Sequence, residues 1–149
     1  MKLITRKVDP DSANDLRGFN ALMSQLSNPA EDEELLKSVI RRLNAREDAW
    51  LLVAEDKESG VLAGSLLGIL TEDLCGDCTP FLMVENVVTL EEYRRQGVGR
   101  KMFEDLEAWA KEKGARYSFL CSQMHRTEAH AFYPSVGYNE IKGYRKKLQ

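Results

Sequence analysis

Residues 81–113 constrain this chain more than any other stretch. Phe81–Thr89 is apolar and rich in β-branched residues, the pattern of a strand. A short connection then leads into Arg94-Arg95-Gln96-Gly97-Val98-Gly99-Arg100. From there the chain passes directly into 98–113, where Met102, Phe103, Leu106, Trp109 and Ala110 recur at helical spacing. Gly114 marks the end of that helix. A strand feeding an amphipathic helix through a tight glycine turn requires a layered α/β domain. The same turn is physically an anion site, because N–H groups at a helix start are unpaired and the helix dipole favours negative charge there. A plain turn followed by a solvated basic segment fits these residues too. Two known phosphate loops are excluded by spacing. No Gly-Lys-Ser/Thr follows, and Met102 stands where a dinucleotide fingerprint needs its third glycine.

The remaining elements follow from periodicity. Residues 2–8 form a first strand ended by Asp9-Pro10, and Leu16, Phe19, Leu22, Met23 and Leu26 set a helix over 12–27. Asn28-Pro29-Ala30-Glu31 reads as the start of a second helix, with Asn28 capping and Pro29 in the first turn. Leu35, Leu36, Val39, Ile40 and Leu43 give its buried stripe, ending near Arg46. Strands over 50–55 and 61–70 are separated by Asp56-Lys57-Glu58-Ser59-Gly60, a hairpin loop in which Gly60 supplies a positive φ. A turn-rich stretch, 71–80, precedes the strand at Phe81. Beyond Gly114 come a short strand at 117–121, a helix over 128–136 broken by Pro134, and two short strands within 138–148. The expected order is β-α-α-β-β-β-α-β-α-β-β, a mixed α/β (α+β) sheet with a largely antiparallel first half. No repeat or linker divides it, so one domain over 1–149 is expected.

The chain has 149 residues, enough for one sizeable core without a disulfide or metal staple. Twenty-one Lys and Arg against 24 Asp and Glu leave a net charge of −3, which argues against nucleic acid as the main partner. A local basic patch remains free to bind a phosphorylated small molecule. No apolar run approaches the roughly 18 residues of a membrane span, and the start lacks a signal-peptide core, so membrane and export are not expected. Three cysteines, an odd number, fit a reducing cytoplasm. Cys75-Gly-Asp-Cys78 has the spacing of a redox or half-zinc site, but zinc needs a second ligand pair. Two free loop thiols and no metal are the expectation.

The segment Val84-Glu85-Asn86-Val87-Val88 together with the glycine loop resembles the acyl-CoA signature of the Gcn5-related N-acetyltransferases, Arg/Gln-x-x-Gly-x-Gly/Ala. The pattern falls on Arg94, Gly97 and Gly99. A second match lies downstream, where Ala129-His130-Ala131-Phe132-Tyr133-Pro134-Ser135-Val136-Gly137-Tyr138 is similar to the family's Ala-x-x-Phe-Tyr-x-x-x-Gly-Phe/Tyr. Two matches in order, separated by a helix and a strand, are far more specific than either alone.

The resemblance implies acetyl-CoA as cosubstrate, no metal, and a small-molecule primary amine as acceptor, with homodimers common in the family. A protein or peptide acetyltransferase and a non-catalytic acyl-CoA-binding module are the alternatives. It implies that the backbone of Val87, Val88 and Thr89 pairs with the pantetheine arm. The diphosphate would lie on the loop from Arg94 and Arg95 through Gln96, Gly97, Val98 and Gly99 to Arg100, held more by amides than by side chains. Ser122 and Arg126 would line the cofactor cleft. Arg126 departs from the Asn common at this point and resembles a subgroup with Arg. Tyr133 matches the tyrosine that protonates the departing thiolate. With a thiol pKa of about 8.5, that acid needs to supply only about 2 kcal/mol at pH 7. Freeing the lone pair of an alkyl ammonium with a lysine-like pKa costs about 4–5 kcal/mol. Glu85, two residues before Val87 and so on the same face of a regular strand, is the best-placed carboxylate to take that proton. In other relatives the glutamate sits two positions earlier, where this chain has Met83, and a water chain competes for the role. His125 and His130 are candidate bases or solvated helix-start side chains. Phe132 reads as core, and Asn86 as a substrate contact or a strand residue. Cys121 and Cys75 are weak candidates for a covalent route. The acids at 32–34 and at Glu72-Asp73 are either solvated or an attraction for a cationic amine.

Overall fold

The computed structural model describes residues 1–149. Its elements are β1 (Leu3–Lys7), α1 (Ala13–Leu26), α2 (Glu33–Asn44), β2 (Ala49–Asp56), β3 (Val61–Thr71), β4 (Phe81–Thr89), a 3-10 turn (Glu91–Tyr93), α3 (Val98–Glu112), β5 (Ser118–Leu120) and α4 (Thr127–Ser135). Two compact units divide the chain, Met1–Phe119 and Leu120–Gln149.

In the first unit the strands follow one another in a sheet of order β1-β2-β3-β4-β5, and β1 to β4 are antiparallel. Strand alternation sorts the core into two layers. Leu51 and Val53 join Val8, Leu16, Phe19, Leu22 and Ile40 in a buried cluster under α1 and α2. Gly64, Leu66 and Gly68 point the other way, toward Met102, Phe103 and Leu106 of α3, all fully buried. The two glycines let α3 approach the sheet closely. A Cβ on Gly68 would stand 2.5 Å from Leu106 Cδ1, and one on Gly64 2.9 Å from Met102 Cε and from Val98 Cγ1. Gly68→Val is therefore expected to lower unfolding free energy by about 1–3 kcal/mol, read by urea denaturation, because an overpacked core must shift helix or sheet.

Charge also ties the elements. Arg6 on β1 donates to both oxygens of Asp15 on α1, at 2.6 and 2.9 Å, and to Glu55 on β2 at 2.5 Å. Burial opposes ionisation of Asp15. The hydrogen bonds from Arg6 and from the Asp9 amide, with the Arg6 charge, outweigh that and hold its pKa low.

Three expectations are corrected. α2 starts four residues late, capped by Asp32, whose carboxylate accepts from the Leu35 amide at 3.0 Å. Starting at Asn28 would add a turn with no large apolar side chain to bury, since even Leu35 is 57% exposed. The 3-10 turn after β4 was not foreseen. Residues 138–149 form neither of the two final strands, so the order ends at α4. Ile141, Tyr144 and Leu148 fall three and four residues apart among charges, not in alternation. They are 61%, 86% and 87% exposed, so no strand face is buried there.

Candidate active site

Strand β4 is not regular. Glu85 pairs with Leu67 and Val88 with Ser65, so Asn86 and Val87 together stand opposite Leu66. This is a β-bulge, and Asn86 carries it with φ +52°. Asparagine tolerates the left-handed region better than a β-branched residue does. The bulge overturns one expectation about Glu85. Its register places it on the face of Val88, not on that of Val87. Glu85 itself is exposed, Val87 and Thr89 are half-buried, and Val88 is buried in the α1 cluster.

The bulge coincides with the end of pairing toward β5. The Arg116 amide donates to Pro80 O at 3.0 Å, and the Leu82 amide to Tyr117 O at 2.9 Å. Partner numbers rise together, so β5 runs alongside β4 in the same direction. With three residues, β5 ends level with the first half of β4. Residues 85–89 thus extend past it, an edge whose backbone can pair with an extended ligand.

The loop that follows is pinned at its entry. Leu90 is buried and its amide donates to Ala63 O at 2.9 Å, while the Glu91 amide donates to Gln25 Oε1 at 2.8 Å. The 3-10 turn closes through Arg94 N to Glu91 O at 3.2 Å, and Gln96 Nε2 donates to Glu92 O at 2.6 Å. Arg95 and Gly97 both take left-handed backbone, at φ +59° and +88°. Gly97 caps α3 and has nothing within 4 Å of an added Cβ, so its need is conformational, not spatial. The first helical bond is Lys101 N to Gly97 O at 3.0 Å. The amides of Val98, Gly99 and Arg100 therefore precede the helical ladder, and Gly97 offers no side chain to cap it.

Comparison with the other helix starts shows what is unusual. α1 has the Ser12 cap and Asp15, and α2 the Asp32 cap with Glu33 and Glu34. α3 has neither a capping side chain nor an acid in its first turn, and carries Arg100 instead. A helix start without an acid in its first turn is suited to an anion. By contrast, the acids of α2 are engaged. Asp32 caps, and Lys37 reaches Glu33 at 3.2 Å and Glu34 at 2.8 Å. They satisfy the helix and its lysine, not an outside amine.

The second unit holds Ser122, Arg126 and Tyr133. Ser122 Oγ is buried with no hydrogen-bond partner, an uncommon state for a hydroxyl. Arg126 is the N-cap residue of α4, and its carbonyl accepts from the His130 amide at 3.2 Å. Tyr133 lies seven residues on, two helical turns, and so on the same face as Arg126. Side chains on a helix lean toward its N-terminus, which aims the phenol back toward the arginine. Burial pushes the Tyr133 phenol above its usual pKa, and the Arg126 cation pulls against that shift. At neutral pH Tyr133 is accordingly a protonated donor. His130 is half-buried on the neighbouring part of this face, whereas His125 is exposed before the helix. Phe132 packs edge-on to Tyr133, with ring centroids 5.7 Å apart. Gln25 carries no local signal at all, and Asn86, a strand-averse residue named as a substrate contact or strand residue, carries a bulge that sequence reasoning did not give.

The first unit thus carries a bulged strand and a glycine-capped helix start without acids, and the second unit carries a half-buried phenol. The family model described as the acetyltransferase (GNAT) family matches residues 17–138. The chain belongs to that family and is an N-acetyltransferase. It is 27% identical over 115 residues to an aminoglycoside N(6')-acetyltransferase type 1 from Acinetobacter genomosp. 13, covering 76% of this chain and 78% of that one. The fold is similar to that of glucosamine-6-phosphate N-acetyltransferase from Arabidopsis thaliana, with TM-score 0.85, 21% identity and full coverage of both chains. It is also similar to AAC(6')-Iy in complex with a bisubstrate analogue, CoA-S-monomethyl-acetylneamine. There the TM-score is 0.78 and the identity 18%, over 99% of this chain and 100% of that one.

Proposed function

We propose that this protein moves the acetyl group of acetyl-CoA to a primary amine of a small molecule, by direct attack of the amine on the thioester carbonyl. The observation that carries this reading is the start of α3, where Gly97 offers no capping side chain, no acid stands in the first turn and Arg100 does. That arrangement suits a diphosphate, with the loop from Arg94 to Gly99 shaping the turn and Arg94, Arg95 and Arg100 adding charge. The uncovered half of β4 would pair through Val87, Val88 and Thr89 with the pantetheine arm, and an amide of that stretch would hold the carbonyl oxygen as it gains charge. The orphaned hydroxyl of Ser122 offers a hydrogen bond to the same substrate. As the carbon–sulfur bond breaks, Tyr133 gives its proton to the thiolate. Glu85 or a water accepts the proton that the amine must lose.

The acceptor we assign is a cationic small amine, because the aminoglycoside acetyltransferase relative is named for one. We place this activity in one domain over 1–149, in a cytoplasm that keeps the three free thiols reduced. Gel filtration distinguishes a monomer from a homodimer.

Release of free thiol from acetyl-CoA, followed over a panel of polyamines, amino sugars and peptides, tests the assignment. Turnover with small amines supports it, and turnover confined to peptides contradicts it. In that assay Glu85→Gln is expected to lower kcat/KM by about 10²-fold, since general-base contributions begin near that size. An unchanged pH–rate profile in Glu85→Gln would leave the proton to water.

A further inference from the structure

The connection from β3 to β4 holds Cys75 and Cys78, which the acyl-transfer chemistry does not use. Both are exposed. They occupy the first and last positions of a turn closed by the Cys78 amide donating to Cys75 O at 3.0 Å. A turn of this kind brings its end Cα atoms within about 7 Å. Disulfides span Cα separations of about 4.4–6.8 Å, so the turn holds the two backbones close to the range that a bridge needs. The turn is also braced from both sides. The Cys75 amide donates to Asp73 Oδ1 at 3.0 Å. Asp77, between the cysteines, accepts from the Thr79 amide at 3.2 Å and hydroxyl at 2.5 Å, and pairs with Arg116. Gly76 and Cys78 take left-handed backbone at φ +58° and +56°, which folds the turn tightly. Phe81, which opens β4, stacks on Tyr117 with ring centroids 5.1 Å apart. No group of three metal-ligating side chains includes the pair.

We propose that Cys75 and Cys78 are a reversible dithiol–disulfide pair that locks the β3–β4 connection when it meets a low-molecular-weight disulfide. One cysteine thiolate attacks a sulfur of RSSR, forming a mixed disulfide and expelling RS⁻. The other thiolate, held within the same turn, attacks the protein-side sulfur and expels the second RS⁻. Two electrons pass from the cysteine pair to RSSR, and the two cysteine protons end on two molecules of RSH. The new S–S bond replaces both S–H bonds. Cys121, in the second unit, stands outside this chemistry.

The test uses the full chain carrying Cys121→Ser, treated with oxidised glutathione and read by intact mass and thiol titration. Both remaining thiols are expected to disappear together, with a mass loss of two hydrogens and full recovery under dithiothreitol. Amide exchange at residues 76–79 is expected to slow several-fold in the oxidised form. The variant with Cys75→Ser added is expected to stop at one stable glutathione adduct on Cys78. In unsubstituted protein Cys121, also exposed, is expected to add one glutathione beside the internal Cys75–Cys78 disulfide. A persistent glutathione adduct on the two-cysteine protein, a disulfide-linked dimer, or two unreacted thiols would overturn the proposal. None of these readouts depends on acetyl transfer.

Discussion

Tyr133→Phe is expected to lower kcat about 10²- to 10⁴-fold, with acetyl-CoA binding little changed. The phenyl ring preserves the packing against Phe132 and Tyr138, whose centroids lie 5.7 and 6.1 Å from that of Tyr133. Only the proton donor is lost, so the defect belongs in turnover and not in affinity. The pH dependence has a definite sign. An acid works while protonated, so activity falls as pH rises through its pKa. Burial sets that pKa above the usual phenol value, and Arg126 works in the opposite direction. Arg126→Gln removes the cation, so the alkaline limb of kcat/KM is expected to move to higher pH. Arg126→Lys, which keeps a positive charge at the helix start, is expected to restore it. A limb unmoved by Arg126→Gln would detach the arginine from the phenol. Equal turnover in Tyr133→Phe would remove the acid role altogether.

Arg100→Glu is expected to change stability and binding in opposite directions. The α3 dipole has no acid in its first turn, and a glutamate there supplies the missing compensation, worth about 0.3–1 kcal/mol. For a chain of this size each kcal/mol raises Tm by about 2–4 °C. On the proposed placement the same carboxylate meets the diphosphate with like charge where a cation stood before. Affinity for CoA is expected to fall by about 10- to 100-fold, a loss of about 1–3 kcal/mol, and less at high salt. A protein that becomes more stable and binds less well shows that the helix start is built for a ligand and not for the fold. If stability and affinity fall together, Arg100 is a structural residue and the diphosphate lies elsewhere.

The parts of the fold that periodicity controls were the parts open to reading. β4 occupies 81–89 as its apolar run requires, and α3 begins at Val98 because the last glycine-cap conformation is at Gly97. The failures have local causes. Asn28-Pro29 has the chemistry of a helix start, yet no side chain of α2 is even half-buried before Leu36, so the nearer cap at Asp32 prevails. The bulge at Asn86 shifts register by one residue, which strand alternation cannot reveal and which moves Glu85 to the other face. The two strands expected within 138–148 do not form, because no apolar face exists there to bury. At the start of α3, the left-handed cap at Gly97 was legible because a glycine directly before an amphipathic helix has few other uses. The Gln25 anchor and the Arg126 influence on Tyr133 were not. The first links residues 66 positions apart, and the second needs the phase of α4 and the burial of the phenol.

Titration calorimetry of CoA into the folded protein tests the central claim most directly. Saturable one-site binding is predicted, weakened by salt and by Arg100→Glu, with Tyr133→Phe matching the parent. A cooperatively folded sample that takes up neither CoA nor acetyl-CoA would contradict it.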